Sequence, residues 1–180
     1  MTDAVQVAMR DIAEDATISA VYRLWEERRG GRAAPSPTDM DVFALPRSAV
    51  SHVVTVDVID GGARFRFRVI GSRVVIASGT DFTGRYVDEA LSGWMRDTVV
   101  EQYRAVVSAC RPGYAMAEFG RDGWQPTKNR RLALPLSSDG ETVDRLLLVS
   151  RASAPWILQG DLLNLALASD PEIVRSFTLI

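Results

Sequence analysis

Residues 64–70 read Arg-Phe-Arg-Phe-Arg-Val-Ile, a strict alternation with Phe65, Phe67 and Val69 on one side and Arg64, Arg66 and Arg68 on the other. A period of two is the mark of a β-strand with one buried face, and no helix can bury that pattern on a single stripe. The run before it, His52 to Ile59, is rich in β-branched residues, and Asp60-Gly61-Gly62 separates the two. Together they predict a hairpin. Three more strand candidates follow: Tyr114 to Phe119, Arg130 to Leu136, and Val143 to Arg151. Asp122-Gly123 and Ser137-Ser138-Asp139-Gly140 between them carry turn chemistry. Pro135 is awkward within a strand, because it cannot donate to a ladder and suits an edge or a bulge.

The period changes elsewhere. Ile18, Val21, Tyr22 and Trp25 fall at i, i+3, i+4 and i+7, predicting a helix from Thr17 that Gly30-Gly31 ends. Residues 1–16 are expected to fray. Pro35 and Pro37 mark a linker after the helix, anchored by Phe43 and Leu45. Ser72 to Leu91 reads as short helical turns broken by Gly79 and Gly84. A longer helix is expected from Gly93 to Cys110, with Val99, Tyr103, Val106, Val107 and Cys110 on one face. Hairpins force antiparallel pairing. The expected fold class is therefore α+β, a five-stranded antiparallel sheet with helices on one face, plus an N-terminal helix. The expected division is a flexible 1–16, helix and linker over 17–46, the sheet domain over 47–152, and a tail over 153–180. That tail has one helix-like apolar stretch, Leu162 to Ala168.

Composition narrows the function classes. Hydrophobic residues make up 47% of the 180, enough to build a core without staples. Twenty-one basic residues face 23 acidic ones. Nucleic-acid binding usually demands a basic excess, so no nucleic-acid partner is expected. No apolar run approaches the ~20 residues of a membrane span, and the first residues lack a signal-peptide pattern. With Cys110 as the only cysteine there is no internal disulfide. The expectation is a cytoplasmic protein with no membrane partner.

Candidate chemistry is sparse. His52 is the only histidine, and no G-x-S-x-G motif accompanies it. One cysteine and one histidine cannot complete a structural zinc site. No catalytic centre, metal or cofactor is expected. Cys110 lies on its helix's apolar stripe and reads as core. Gly71, Gly79 and Gly84 read as turn residues permitting positive φ, with Asp81 and Thr83 pinning the loop. The arginine stripe Arg64, Arg66 and Arg68 has two readings: a solvated face neutralised by Glu26, Glu27 or Asp57, or a docking face for an acidic partner or a second copy. Ile18, Val21 and Trp25 either cover that outer face or pair with a twin helix. A ligand pocket, if the core is not simply filled, is expected between the inner sheet face and the middle helices. Its candidate liners are Phe67, Val69, Trp94, Tyr103 and Met116, with Arg73 as an anion anchor.

The wording of several segments resembles one family. Trp25, then Arg28-Arg29-Gly30-Gly31-Arg32, Pro35, Asp39 and Asp41, is similar to its opening. So are the hairpin from Val56 to Gly71, the segment Gly79-Thr80-Asp81-Phe82-Thr83-Gly84-Arg85, and Leu134-Pro135-Leu136-Ser137 with Asp139-Gly140. The likeness, over residues 20 to 150, is to short single-PAS-domain bacterial proteins, mainly alphaproteobacterial. Val42 departs from the proline the family often has there. The resemblance implies a PAS-like fold and a sensory or regulatory signalling module. Such a module binds a small ligand or partner and acts through a homodimer or a separate output protein. The alternative is a structural interaction module with no ligand.

Overall fold

In the computed structural model, which describes residues 2–119, 127–152 and 174–180, the hairpin forms as the alternation requires. Strands β1 (Val53–Ile59) and β2 (Arg64–Ile70) pair antiparallel around a single helical turn at Asp60–Gly62. Strands β3 (Gly113–Phe119), β4 (Thr127–Leu136) and β5 (Arg145–Ala152) follow, β4 pairing with both β3 and β5 and β5 with β1. A further strand, β6 (Val174–Leu179), lies antiparallel against β3. The sheet order is β2-β1-β5-β4-β3-β6, so the expected five strands become six. Without β6, β3 would be a bare edge with a row of unpaired backbone groups. Phe177 and Leu179 alternate inward on β6 and seal that end of the core. The stretch Leu162 to Ala168 lies outside the described residues.

Helices cover both faces of the sheet, correcting the expectation of one. On the outer face α2 (Ala16–Arg29) packs against β4 and β5, with α1 (Asp3–Glu14) against α2 and β6 and α3 (Arg47–Val50) against α2. The inner face carries α4 (Ser72–Ser78), α5 (Val87–Ala90) and α6 (Gly93–Ala109). The cause is visible in β4 and β5. Leu132 and Leu134 face out while Ala133 faces in, and Leu147 and Val149 face out while Leu146 and Leu148 face in. Strands buried on both sides read as continuous apolar runs, and each face then needs its own cover.

That cover settles the first helix. Ile18, Val21 and Trp25 are at most 2% exposed, packed on the sheet of their own chain, so they form no docking face. Residues 3–14, expected to fray, form α1 and bury Ala8 and Ile12 in the same cluster. Asp15 joins the two helices and caps α2, its Oδ1 accepting from the backbone N–H groups of Thr17 (3.0 Å) and Ile18 (3.1 Å). Of the two expected linker anchors, Leu45 is buried, whereas Phe43 is 93% exposed. Asp41 Oδ1 accepts from the backbone N–H of Phe43 and of Ala44, and this turn carries the ring outward.

Pro135 occupies a central strand without cost. The pairing of β3 with β4 begins at Gly113 opposite Ala133, so β3 does not reach Pro135. The Pro135 carbonyl accepts from Trp25 Nε1 at 2.8 Å, a buried bond tying α2 to the sheet.

Candidate functional site

Between the inner sheet face and helices α4 and α6 lies a cavity of about 210 Å³. Its apolar part is built from both sides. Strand alternation aims Val54, Phe67 and Leu148 inward, and the helical side supplies Val74, Met95 and Val99. Phe82, from the loop after α4, stacks on Phe67 with ring centroids 6.2 Å apart. That loop is pinned as expected: Asp81 Oδ1 accepts from Thr83 N–H (2.9 Å) and Thr83 Oγ1 (2.6 Å), while Gly79 and Gly84 take positive φ. The loop's other end bonds to the edge of β2, Gly84 N–H donating to Phe67 O and Phe67 N–H to Arg85 O.

The cavity also has a polar end. Asn129 and Arg131 alternate inward on β4, and Ser150 sits opposite Arg131 on β5. Across from them on β3 stand Ala117 and Ala115, whose small side chains leave the space open. Arg131 Nη2 donates to Gln102 Oε1 of α6, and its guanidinium lies 5.6 Å from the Tyr103 ring centroid. Ser150 Oγ donates to Asn129 Oδ1 at 3.2 Å. Tyr103 is buried against Phe65 edge-on at 5.4 Å. Burial pushes its phenol up, outweighing the pull of Arg131, so the hydroxyl stays protonated.

Four of the six expected liners border this cavity: Phe67, Trp94, Tyr103 and Met116. Met116 touches its wall while its side chain packs with the outer cluster. Val69 does not line it and is 51% exposed. The register shifts between Thr55 and Val56, so Thr55 pairs with Val69 and Val56 with Phe67, leaving Arg68 as an extra residue. This bulge breaks the alternation, turning Val69 out and bringing Ile70 to the cavity. Arg73 is exposed on α4 and absent from the lining. The cation that does line it is Arg131, which sequence reasoning missed. Its neighbours Leu132 and Leu134 mark the opposite face as buried, and one apolar face normally implies that the other is solvated.

The arginine stripe finds acids within the chain. Arg64 binds Asp88 and Glu89, each at 2.7 Å, and lies 3.6 Å over the Tyr86 ring. Arg66 (3.1 Å), Arg68 (3.7 Å) and Arg145 (3.4 Å) surround nearly buried Asp57. Of the three acids considered, Asp57 is the neutralising partner; Glu26 bonds Arg29 on its own helix. His52 lies beside Arg151, Nη1 to Nε2 at 2.8 Å. A guanidinium can only donate, so His52 Nε2 is the acceptor there. Cys110 ends α6 in a left-handed conformation, its thiol pushed up by burial. Among the described residues no group of three or more potential metal ligands occurs.

An antiparallel sheet with a connecting helical segment over its inner face is the PAS-like layout the resemblance implied, here with a sixth strand added. A family model described as PAS domain matches residues 13–149, well over half of the chain. The chain belongs to the PAS domain family. No curated protein matches it. The matched span takes in α2, the whole hairpin, the cavity-lining helices and strands β3 to β5 up to Val149. PAS membership accounts for the shared layout, while β6 and most of α1 lie outside the match. No helix among the described residues is long and apolar enough to cross a membrane.

Proposed function

We propose that this PAS domain is a sensory module that binds a small molecule between its sheet and α4–α6 and passes occupancy to a partner, rather than an enzyme. The observation that carries the reading is the cavity itself. Protein cores are close-packed, and a space of about 210 Å³ lined by aromatic and polar side chains is more than a packing flaw. No carboxylate or imidazole stands among the described residues lining it, which gives acid–base chemistry little to work with. The alternative, an interaction module with no ligand, requires a filled interior.

Transmission follows from unequal anchoring. Helix α4 contributes Val74 and Ser78 to the cavity wall yet contains no buried residue. An element held by so few contacts opens at low free energy, and a ligand that binds its closed position better shifts that equilibrium. Helix α4 follows directly from β2, whose Arg66 and Arg68 are half-exposed. Those two guanidiniums form the face through which a separate output protein or a second copy of the chain reads the change. A metabolite panel tested by thermal unfolding, with amide exchange over residues 72–78, checks the proposal. A binder at about a hundred times its Kd is expected to raise Tm by about 5 °C or more and slow exchange in α4. A flat response across the panel, with exchange in α4 unchanged, supports the ligand-free alternative.

A further inference from the structure

The cavity's charge is one-sided. Among the described residues that line it, Arg131 is the only charged one, and no described carboxylate lies within ion-pairing distance of its guanidinium. Its neighbours are the Gln102 amide oxygen, the Tyr103 ring and, across the ladder, Ser150. This contrasts with Arg64 and Arg151, which have acids of their own, and with Arg66, Arg68 and Arg145, which share Asp57. A partly buried cation without a counter-charge is costly and gains most from an anion brought in from outside. The guanidinium fork also fits a planar carboxylate, and one fork neutralises a single negative charge.

The rest of the cavity sets the body of the ligand. Asn129 accepts from Ser150 through Oδ1, leaving its amide nitrogen as a second donor beside Arg131. Away from this end the walls are Phe67, Phe82, Val74 and Val99. An apolar cavity of about 150 Å³ holds benzene, so one of about 210 Å³ holds a single ring with a short acidic arm, or an acyl chain of similar bulk. Resting on the cavity-sensing role proposed above, we infer that the ligand is a small amphipathic monocarboxylate, its carboxylate on Arg131 and Asn129 and its apolar body between Phe67, Phe82 and α6.

The test compares matched probes by calorimetric titration: phenylacetate, benzoate and hexanoate against their neutral amides, with phenyl phosphate as a dianionic control. The wild-type protein is expected to bind at least one acid roughly tenfold or more tighter than its amide, the loss of a charge-assisted bond. Arg131→Gln is expected to erase that preference while leaving amide binding in place, and Arg131→Lys to retain part of it. Circular dichroism checks folding of both variants, and the acid-against-amide comparison on wild type stands without them. Amides binding as well as acids, or phenyl phosphate binding best, overturns the carboxylate assignment and leaves the cavity-sensing role intact. Failure of every probe, charged and neutral, overturns both.

Discussion

Gly71 has an ordinary φ of −63°, so conformational freedom is not what the position requires. A Cβ there would come within 2.5 Å of Ser51 O and 2.9 Å of Val50 O, backbone atoms that cannot swing aside. The same approach lets Gly71 N–H donate to Val53 O and starts α4 at the mouth of the cavity. Gly71→Ala is therefore expected to destabilise the protein by about 1–3 kcal/mol, measured as a lower urea midpoint at constant m-value. An unchanged midpoint would mean that the Val50–Ser51 backbone yields to the added methyl group. At this scale Gly79 and Gly84 take the positive φ expected of turn residues, whereas Gly71 does not, and Val69 and Arg73 stand away from the cavity they were expected to line. Nothing in Arg-Phe-Arg-Phe-Arg-Val-Ile announces a bulge, because the two-against-one pairing is set by the partner strand. Arg131 was missed for a related reason: alternation says which residues share a face, and only packing says what lies above it.

Among the elements, α2 is held by polar ties as well as its apolar stripe. Asp15 caps it and also accepts from Arg151 Nε of β5 at 3.2 Å, and Arg151 in turn contacts His52 at the entry to β1. Burial, then the charges of Arg151 and Arg73, hold the His52 imidazole below its usual 6.5. For Asp15 burial works upward, but the N–H groups of Ile18 and Thr17 and the Arg151 ion pair outweigh it and hold the carboxyl below 3.8. The signs follow from linkage. The folded protein resists a proton at His52 that the unfolded chain accepts, so stability falls as pH drops through about 6.5 and levels off below the folded value. Asp15 contributes above about 3.8 and loses its contribution only as pH falls further. Urea midpoints at about pH 7.5 and 5.5 should therefore differ for wild type, and His52→Gln should shrink the difference. An equal drop in the variant would place the titrating group elsewhere. The lone histidine was legible in the sequence; its pairing with a cation was not, since Arg151 is distant in the chain and adjacent only in the sheet.

For the whole molecule the decisive strand is the last. Strand β6 covers β3 from Gly113 to Glu118, and Phe177 and Leu179 complete the inner cluster. Removing residues 174–180 is expected to lower Tm and to produce concentration-dependent self-association through the uncovered edge of β3. Size exclusion with light scattering reads this directly; a truncated chain with wild-type Tm and mass at every concentration would show β6 to be dispensable.

The hairpin, the long helix and the antiparallel class follow from periodicity and turn chemistry alone, because those signals are local and each residue's side is set by its own backbone. The sixth strand, the second covered face, the bulge and the lack of any ion-paired carboxylate on Arg131 among the described residues belong to the tertiary structure. Each depends on which distant segment supplies the neighbouring atoms, and burial of a side chain is a property of that neighbour as much as of the residue itself.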